Sequence, residues 1–393
     1  MKRKICVFTG ARAEYGLLKP LMDEIKKDKQ TGLQILVSGM HLLPEFGMTY
    51  KAIEKDGFVI DEKIKILLDS DTPVGISKSI GSGLMEFSKA YERLKPDIVV
   101  ILGDRFEAFA AAASAIVSGI PIAHIHGGEA TFGVVDEAFR HSITKMSHLH
   151  FTSTQEHRKK VIQLGEDPKS VFNVGAIGLD NIKGLRLLSK NSLEEELDFK
   201  FARKNLLVTF HPVTLEKNTS KKQFQNLLDE LDALEDTHII FTKANADTYG
   251  RVINRMIDDY VPQRPYKAIA FTSMGQLKYL SAMQFVDAVV GNSSSGIIEM
   301  PSFKKATIDI GDRQKGRVKA KTVIECRPTR EDIRRAFKKL YSEGFKRTLK
   351  DAVNPYEPGK PTASKIKTIL KNHNLNNILK KTFYNIRVDK KDL

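Results

Sequence analysis

"DIVVILGDRFEAFAAAASAIVSGIPIAHIHGGEA", residues 97 to 130, sets the architecture of the chain. Two short apolar runs, DIVVILG and IPIAHIHGG, bracket a helical stretch. DIVVILG does not alternate polar with apolar residues, as a strand with one wet face would, and in IPIAHIHGG only His124 and His126 interrupt the apolar run. A strand with no wet face is buried on both sides, the mark of a parallel sheet covered by helices. The same rhythm extends in both directions. KICVFTG and LQILVSG precede it; LHFTST, VFNVGA, NLLVTFHP, HIIFTKAN, AIAFTS, AVVGNSSS, ATIDIGD and TVIEC follow. Twelve such strands are many for one doubly wound sheet, so an α/β chain of two Rossmann-like domains is expected. The break falls near residues 176 to 200, where KGLRLLSKNSLEEELDFKFARKN supplies a helix and a polar linker. The expected division is 1–175, 176–361 and a basic C-terminal helix and tail over 362–393.

Composition bounds the function. The chain has 393 residues, 41% hydrophobic and 28% charged, within the range of soluble globular proteins. No run reaches the roughly 18 apolar residues of a membrane span. MKRKICVFTG is too short for a signal-peptide core and is expected to be the first strand. Cys6 and Cys326 lie far apart in apolar runs, which implies a reducing compartment without a disulfide framework. A cytoplasmic protein is expected. The formal charge of +15 raises the question of nucleic acid, but the chain lacks zinc-finger spacing, an RNP-like strand and a basic region leading into heptads. Much of the excess sits from Lys360 onward and in scattered lysines. A basic surface that draws in an anionic small molecule is expected, with neither nucleic acid nor membrane as partner.

Polar residues gather where the strands end. TGARAEYG, SGMHLL, GDRFEA, HGGEA, HPVT, KANADT, GNSSSG and GDRQKGR each follow a strand. In open parallel sheets the ligand crevice lies beyond the carboxyl ends of the strands, so two facing domains would line one deep cleft with all eight. GNSSSGIIE, residues 291 to 299, has the strand end, small-residue turn and helix start that hold phosphate oxygens. Asn292, Ser293, Ser294 and Ser295 are candidate contacts, and Glu299 could accept from ribose hydroxyls. By itself the stretch equally fits a plain serine N-cap. Arg313, Lys315 and Arg317 nearby supply the cations a diphosphate needs. The absence of GxxxxGK[ST] excludes a P-loop, and a diphosphate site without a magnesium cage suggests a nucleotide-sugar. GARAEYG is not GxGxxG and lacks the acidic residue after the second strand, so no dinucleotide cofactor is expected. Arg12 is expected to enter the cleft.

Five of the ten histidines fall between residues 124 and 150. His124 and His126 read as alternating on one strand; His141 belongs to the next helix, and His148 and His150 lie near the following strand. Zinc sites favour tighter, rigid spacings, so several of these are expected to be structural, hydrogen-bonded at the buried strand–helix junction, and no metal is expected. The carboxylates are more telling. Asp104 and Glu129 end neighbouring strands, and Asp136 opens a helix that carries Arg140 four residues on. Asp104 and Asp136 each also fit a capping role; Glu129 in its Gly-Gly-Glu loop has none. Together they could act as general acid and base. A carbon-bound proton of a sugar ring, next to nothing more activating than an ether carbon, is very weakly acidic. Its removal becomes feasible if a nucleoside diphosphate leaves the adjacent carbon in the same step, with cations holding the leaving group.

TGARAEYG, SGMH, LGDRFEA, HIHGGE…DEAFRHSITKMSHLH, TFHPVT, GNSSSGIIE and GDRQKGR together resemble the hydrolysing UDP-N-acetylglucosamine 2-epimerases of sialic-acid synthesis (NeuC type), over about residues 1 to 350. The resemblance implies a GT-B fold. Arg12-Ala13-Glu14 and His211-Pro212-Val213-Thr214 stand where non-hydrolysing relatives tend to have Arg-Pro-Glu and His-Arg, so the hydrolysing branch is implied. That branch eliminates UDP to a 2-acetamidoglucal and adds water to release N-acetylmannosamine. Carried over by motif, Asp104, Glu129 and Asp136 would be the acid/base groups, with His211 beside the diphosphate. Arg12, Ser293, Ser294, Glu299, Arg313 and Arg317 would hold UDP, with Arg140 and His41 behind them. The C-terminal helix would cross back to the first domain, and a homodimer or homotetramer is implied.

One stretch departs from the pattern. ATFGVV, residues 130 to 135, is apolar where small polar residues belong, beside the expected place of C4 to C6 of the sugar. UDP-N-acetylglucosamine is the first expectation. The alternative is UDP-2,4-diacetamido-2,4,6-trideoxyglucose, used on the route to legionaminic acid by a related enzyme, since an apolar wall suits a 6-deoxy sugar. A GT-B glycosyltransferase would share the phosphate cradle but would not need the three carboxylates.

Overall fold

The computed structural model describes residues 2–66, 72–213, 219–244, 250–357 and 359–386. Thr214 of the HPVT motif and residues 245–248 of KANADT lie outside them. Seven strands form the first sheet: β1 (Arg3–Thr9), β2 (Thr31–Ser38), β3 (Glu62–Ile64), β4 (Ile98–Leu102), β5 (Ile122–Ile125), β6 (Leu149–Thr152) and β7 (Val171–Asn173). They lie in the order β3-β2-β1-β4-β5-β6-β7. Six form the second: β8 (Lys204–Thr209), β9 (Thr237–Thr242), β10 (Ala268–Phe271), β11 (Ala288–Gly291), β12 (Ala306–Ile310) and β13 (Val323–Cys326). Their order is β10-β9-β8-β11-β12-β13. Every pairing is parallel.

The twelve apolar runs are all strands. β3 was not anticipated, because Glu62 and Lys63 leave it no apolar run. It exists as an edge strand through pairing with β2 and a two-pronged Arg93–Glu62 contact at 2.7 and 2.9 Å. Burial on both faces explains the continuous apolar pattern. Ile5 and Val7 of β1 enter a core shared with helix Arg12–Lys27, while Cys6 and Phe8 enter the core under helices Pro73–Leu94 and Phe106–Val117. In the second sheet Leu206 and Val208 face one core and Leu207 the other.

The chain then returns to its beginning. Helix Thr362–Asn372 packs on Arg12–Lys27, burying Ala363, Ile366 and Leu370 in the first domain's core. Burial of Ile366 and Leu370 contributes roughly 3–6 kcal/mol. The Asp180 carboxylate accepts the backbone N–H of Thr362 at 2.9 Å and of Ala363 at 2.6 Å, supplying the cap this helix's own sequence lacks. Beyond it the Lys381 ammonium reaches buried Glu166 at 2.8 Å. The two domains are further joined at Gly16, whose carbonyl accepts from Gln276 at 2.6 Å and Asn181 at 2.9 Å. No described helix is long and apolar enough to cross a membrane.

Candidate active site

A cavity of about 320 Å³ lies between the domains, lined by residues that follow β1, β2 and β7 on one side and β8, β9, β10, β11 and β12 on the other. The carboxyl ends of both sheets therefore converge, as parallel topology requires. From the first domain come Arg12 and Thr49; from the second come His211, Lys243, Ser293, Ser294, Ser295, Glu299 and Arg313. Arg12 packs against the backbone of Gly275, whose φ of 75° and lack of Cβ both matter because a side chain there would collide with the guanidinium.

The second-domain wall follows from its local sequence. Ser293 caps helix Ser294–Ile298, its Oγ accepting from the Ser295 N–H at 3.4 Å. The helix stops after five residues and passes into a 3₁₀ turn, Met300–Phe303, with Pro301 near its start. Glu299 therefore ends the helix. Its Oε2 is buried without a hydrogen-bond partner, and burial pushes the carboxyl up to about 7. Tyr279 holds Ser295 at 2.6 Å. The Arg313 guanidinium lies in the cavity and donates to the Asn292 carbonyl at 3.1 Å.

The carboxylates form a second cluster beside this cavity. Arg105 occupies the N-cap position of helix Phe106–Val117 without a side-chain cap hydrogen bond, so Asp104 is not the cap. Asp104 pairs with Arg140, a buried guanidinium that also donates to Glu137 at 2.6 Å, the Thr131 hydroxyl at 2.6 Å and the Glu129 carbonyl at 3.0 Å. Asp136 is half-buried and starts helix Asp136–Met146. Glu129 is 3% exposed, with Oε2 at 2.8 Å from Arg317 and Oε1 at 2.6 Å from the Ser153 hydroxyl and 3.3 Å from His126. Burial alone would raise its pKa. Arg317, His126, His157 and the Ser153 hydrogen bond outweigh burial and hold it at about 2. Two contacts tie this cluster to the cavity: Phe132 N–H donates to the Arg313 carbonyl at 3.0 Å, and Arg317 donates to the Ala130 carbonyl at 2.7 Å.

Several expected contacts are occupied by the protein itself. The Asn292 amide clamps the backbone of His211, accepting from its N–H at 2.7 Å and donating to its carbonyl at 2.8 Å. Asn292 thus positions His211 and Arg313, and it does not line the cavity. His41 is fully buried between the Thr9 and Thr49 hydroxyls, at 3.0 and 2.8 Å. It supports the wall through Thr49. Arg317 serves Glu129, and Lys315 is exposed beside Asp312 at 3.9 Å and over the Phe132 ring. Of the three expected cations, only Arg313 lines the cavity.

The histidines also need a correction. β5 ends at Ile125 and His126 takes a left-handed φ of 68°, so His124 and His126 do not share a strand face. His124 binds the Gly103 carbonyl at 2.7 Å and the Thr144 hydroxyl at 3.1 Å, His148 accepts the Ile122 N–H at 3.1 Å, and His150 meets Glu166 at 3.0 Å. Burial lowers the pKa of all four. No group of three metal-ligating side chains occurs among the described residues.

Three groups escaped the sequence analysis. Glu14 accepts the Gly10 N–H at 2.7 Å, and burial, then the negative charge of Glu107, push its carboxyl to about 7 despite nearby Arg105. Ser153 and His157 stand behind Glu129. Extending the strand-end rule to β6, which runs into TSTQEH, would have marked both.

The family model described as UDP-N-acetylglucosamine 2-epimerase matches residues 23–371. The chain is 46% identical over 385 residues to the GDP/UDP-N,N'-diacetylbacillosamine 2-epimerase (hydrolyzing) of Campylobacter jejuni, covering 98% of this chain and 100% of the relative. It is 39% identical over 358 residues, 90% of each chain, to polysialic acid biosynthesis protein P7 of Escherichia coli. The crystal structure of UDP-GlcNAc 2-epimerase from Neisseria meningitidis bound to UDP-GlcNAc has the same fold: TM-score 0.79, 18% identity, covering 94% of this chain and 100% of that one. The chain therefore belongs to the UDP-N-acetylglucosamine 2-epimerase family and is an enzyme acting on nucleotide-sugars.

Proposed function

We propose that the protein is a hydrolysing 2-epimerase of a UDP-linked 2-acetamido sugar in surface-polysaccharide synthesis. A carboxylate takes the C2 proton while the C1–O bond breaks, and UDP leaves with the bonding electrons. A second carboxylic acid returns a proton to the opposite face of C2 of the glycal as water adds at C1, releasing the free 2-epimer. Asp104, Glu129 and Asp136 are the proton-handling groups in this account. Arg12, Arg313, His211 and the hydroxyls of Ser293 to Ser295 hold the departing diphosphate, and Glu299 takes the ribose. The observation that carries the proposal is the joining of the two clusters: the loop bearing Arg313 is hydrogen-bonded to the loop that follows Glu129. Charge leaving toward the cations and a proton leaving toward the carboxylates are thus served by one rigid unit.

For the sugar, we place UDP-N,N'-diacetylbacillosamine, the 2,4-diacetamido-2,4,6-trideoxyglucose derivative, first. Phe132 (55% exposed) and Val135 (42%) present apolar surface on the loop between Glu129 and Asp136. A 6-deoxy sugar has no C6 hydroxyl to leave unsatisfied against that surface. The Campylobacter relative is named for this substrate. UDP-N-acetylglucosamine, the order expected from sequence, is the second reading, supported by the family description and by the ligand of the Neisseria structure. The released 2-epimer would feed synthesis of a nine-carbon acidic sugar.

Proton NMR of the protein with each UDP-sugar in D₂O, without acceptor, tests both parts. Free 2-epimer carrying deuterium at C2, together with UDP, is expected, faster from the diacetamido sugar. A UDP-linked 2-epimer would refute hydrolysis. UDP release only on addition of an acceptor sugar would mean glycosyl transfer.

A further inference from the structure

Behind Glu129 runs a line of buried polar side chains that the proposed reaction does not yet use. Ser153 follows β6 as Glu129 follows β5, and the two strands are neighbours. His157 stands in the first turn of helix Gln155–Gln163, where Thr154 caps its N–H at 3.2 Å. Ser153 Oγ lies 2.6 Å from Glu129 Oε1 and 2.9 Å from His157 Nδ1. Ser153 is 1% exposed and His157 fully buried. Gly128 (φ 76°) makes the approach possible, since a Cβ there would collide with the His157 carbonyl.

The direction of each hydrogen bond follows from donor counting. An ionised carboxylate only accepts, so the Ser153 hydroxyl proton is committed to Glu129. The Ser153 oxygen must then accept from His157, which fixes that ring as the Nδ1–H tautomer. Nε2 is left as a buried lone pair without a partner. Burial holds the ring neutral, with its pKa lowered to about 4. The other anchor of Glu129, Arg317, belongs to the second domain, whereas Ser153 and His157 share the first domain with Glu129. Their hold does not depend on how the two domains approach each other.

We propose that His157 and Ser153 are positioning residues, a histidine–serine–carboxylate relay that orients Glu129 and keeps it ionised from within its own domain. The inference rests on Glu129 being one of the proton-handling groups. The other charged or titratable groups facing it are Arg317 after β12, His126 after β5 and, farther off, His124 on β5, Glu299 and Tyr356.

The test uses the full-length protein. Ser153→Ala and His157→Ala are expected to lower kcat about tenfold with KM and UDP affinity within about twofold. Both also move the acidic limb of the kcat–pH profile up, by about one unit in Ser153→Ala, where an ionised Glu129 has lost a donor, and by less in His157→Ala, where that donor has lost only its anchor. His157→Asn, whose amide N–H can replace Nδ1–H, restores most of both. Wild-type kcat and an unmoved limb in Ser153→Ala, or His157→Asn as impaired as His157→Ala, would overturn the relay. Histidine ¹⁵N NMR decides independently of turnover: His157 as Nδ1–H supports the relay and Nε2–H overturns it. If the wild type turns over neither UDP-sugar, the functional proposal fails while the tautomer still decides this one.

Discussion

Removing Arg317 separates electrostatic from shape contributions at the junction of the two domains. Its Nη1 meets Glu129 Oε2 at 2.8 Å, and the two side chains are 6% and 3% exposed. Deleting one partner of a buried pair typically costs 3–5 kcal/mol, because the other charge is left behind. Ser153 and His126 stay on Oε1, so Arg317→Ala is expected at the low end, about 3 kcal/mol. That is about two pKa units, which moves Glu129 from about 2 to about 4, close to its ordinary value. The sign follows from linkage. In the wild type the depressed pKa contributes stability that is present above the ordinary carboxylate pKa and lost as pH falls toward 2. The two proteins should therefore differ fully at pH 7 and converge as pH falls below about 4.5. Urea unfolding across that range measures the gap. The double variant Glu129→Gln/Arg317→Ala should be more stable than the sum of the singles by about 2 kcal/mol, since neither charge is then stranded. An Arg317→Ala protein within about 0.5 kcal/mol of wild type at pH 7, or additive singles, would refute the reasoning.

Two further outcomes are expected. Arg313→Ala should weaken UDP binding by roughly tenfold to a hundredfold, the range for a charge-assisted hydrogen bond, with a shallower salt dependence by calorimetry. Lys381→Met should lower stability by about 1–3 kcal/mol at pH 7, because buried Glu166 keeps only Lys145 and His150. Burial raises the Glu166 carboxyl but its hydrogen bonds hold it at about 2, so this deficit should fade as pH falls from about 4 toward 2, followed by Tm.

Strand positions were legible because a parallel sheet imposes its own pattern: residues buried on both faces leave a continuous apolar run. β3 escaped because one edge strand pairs through its backbone and needs no such run. The placing of functional groups at strand ends was legible for the same topological reason. Arg12, His211, Ser293 to Ser295, Glu299 and Arg313 do line one cavity. Partner choice was not. Arg317 looked like a phosphate cation by its spacing from Arg313, yet it meets Glu129, which is 188 positions away in sequence. Asn292 looked like a ligand contact, yet its amide satisfies the His211 backbone across two strand ends. His41 looked like a site histidine, yet both its nitrogens are held by threonines.

Local patterning was thus enough for the two parallel sheets, the cleft between them and the chemical classes of residue around it, because burial periodicity and strand-end topology are written residue by residue along the chain. Which carboxylate is ionised, which cation guards it and which serine and histidine stand behind it were decided by packing. Each depends on distances between loops remote in sequence, and a hydrogen bond is made or lost within a few tenths of an ångström.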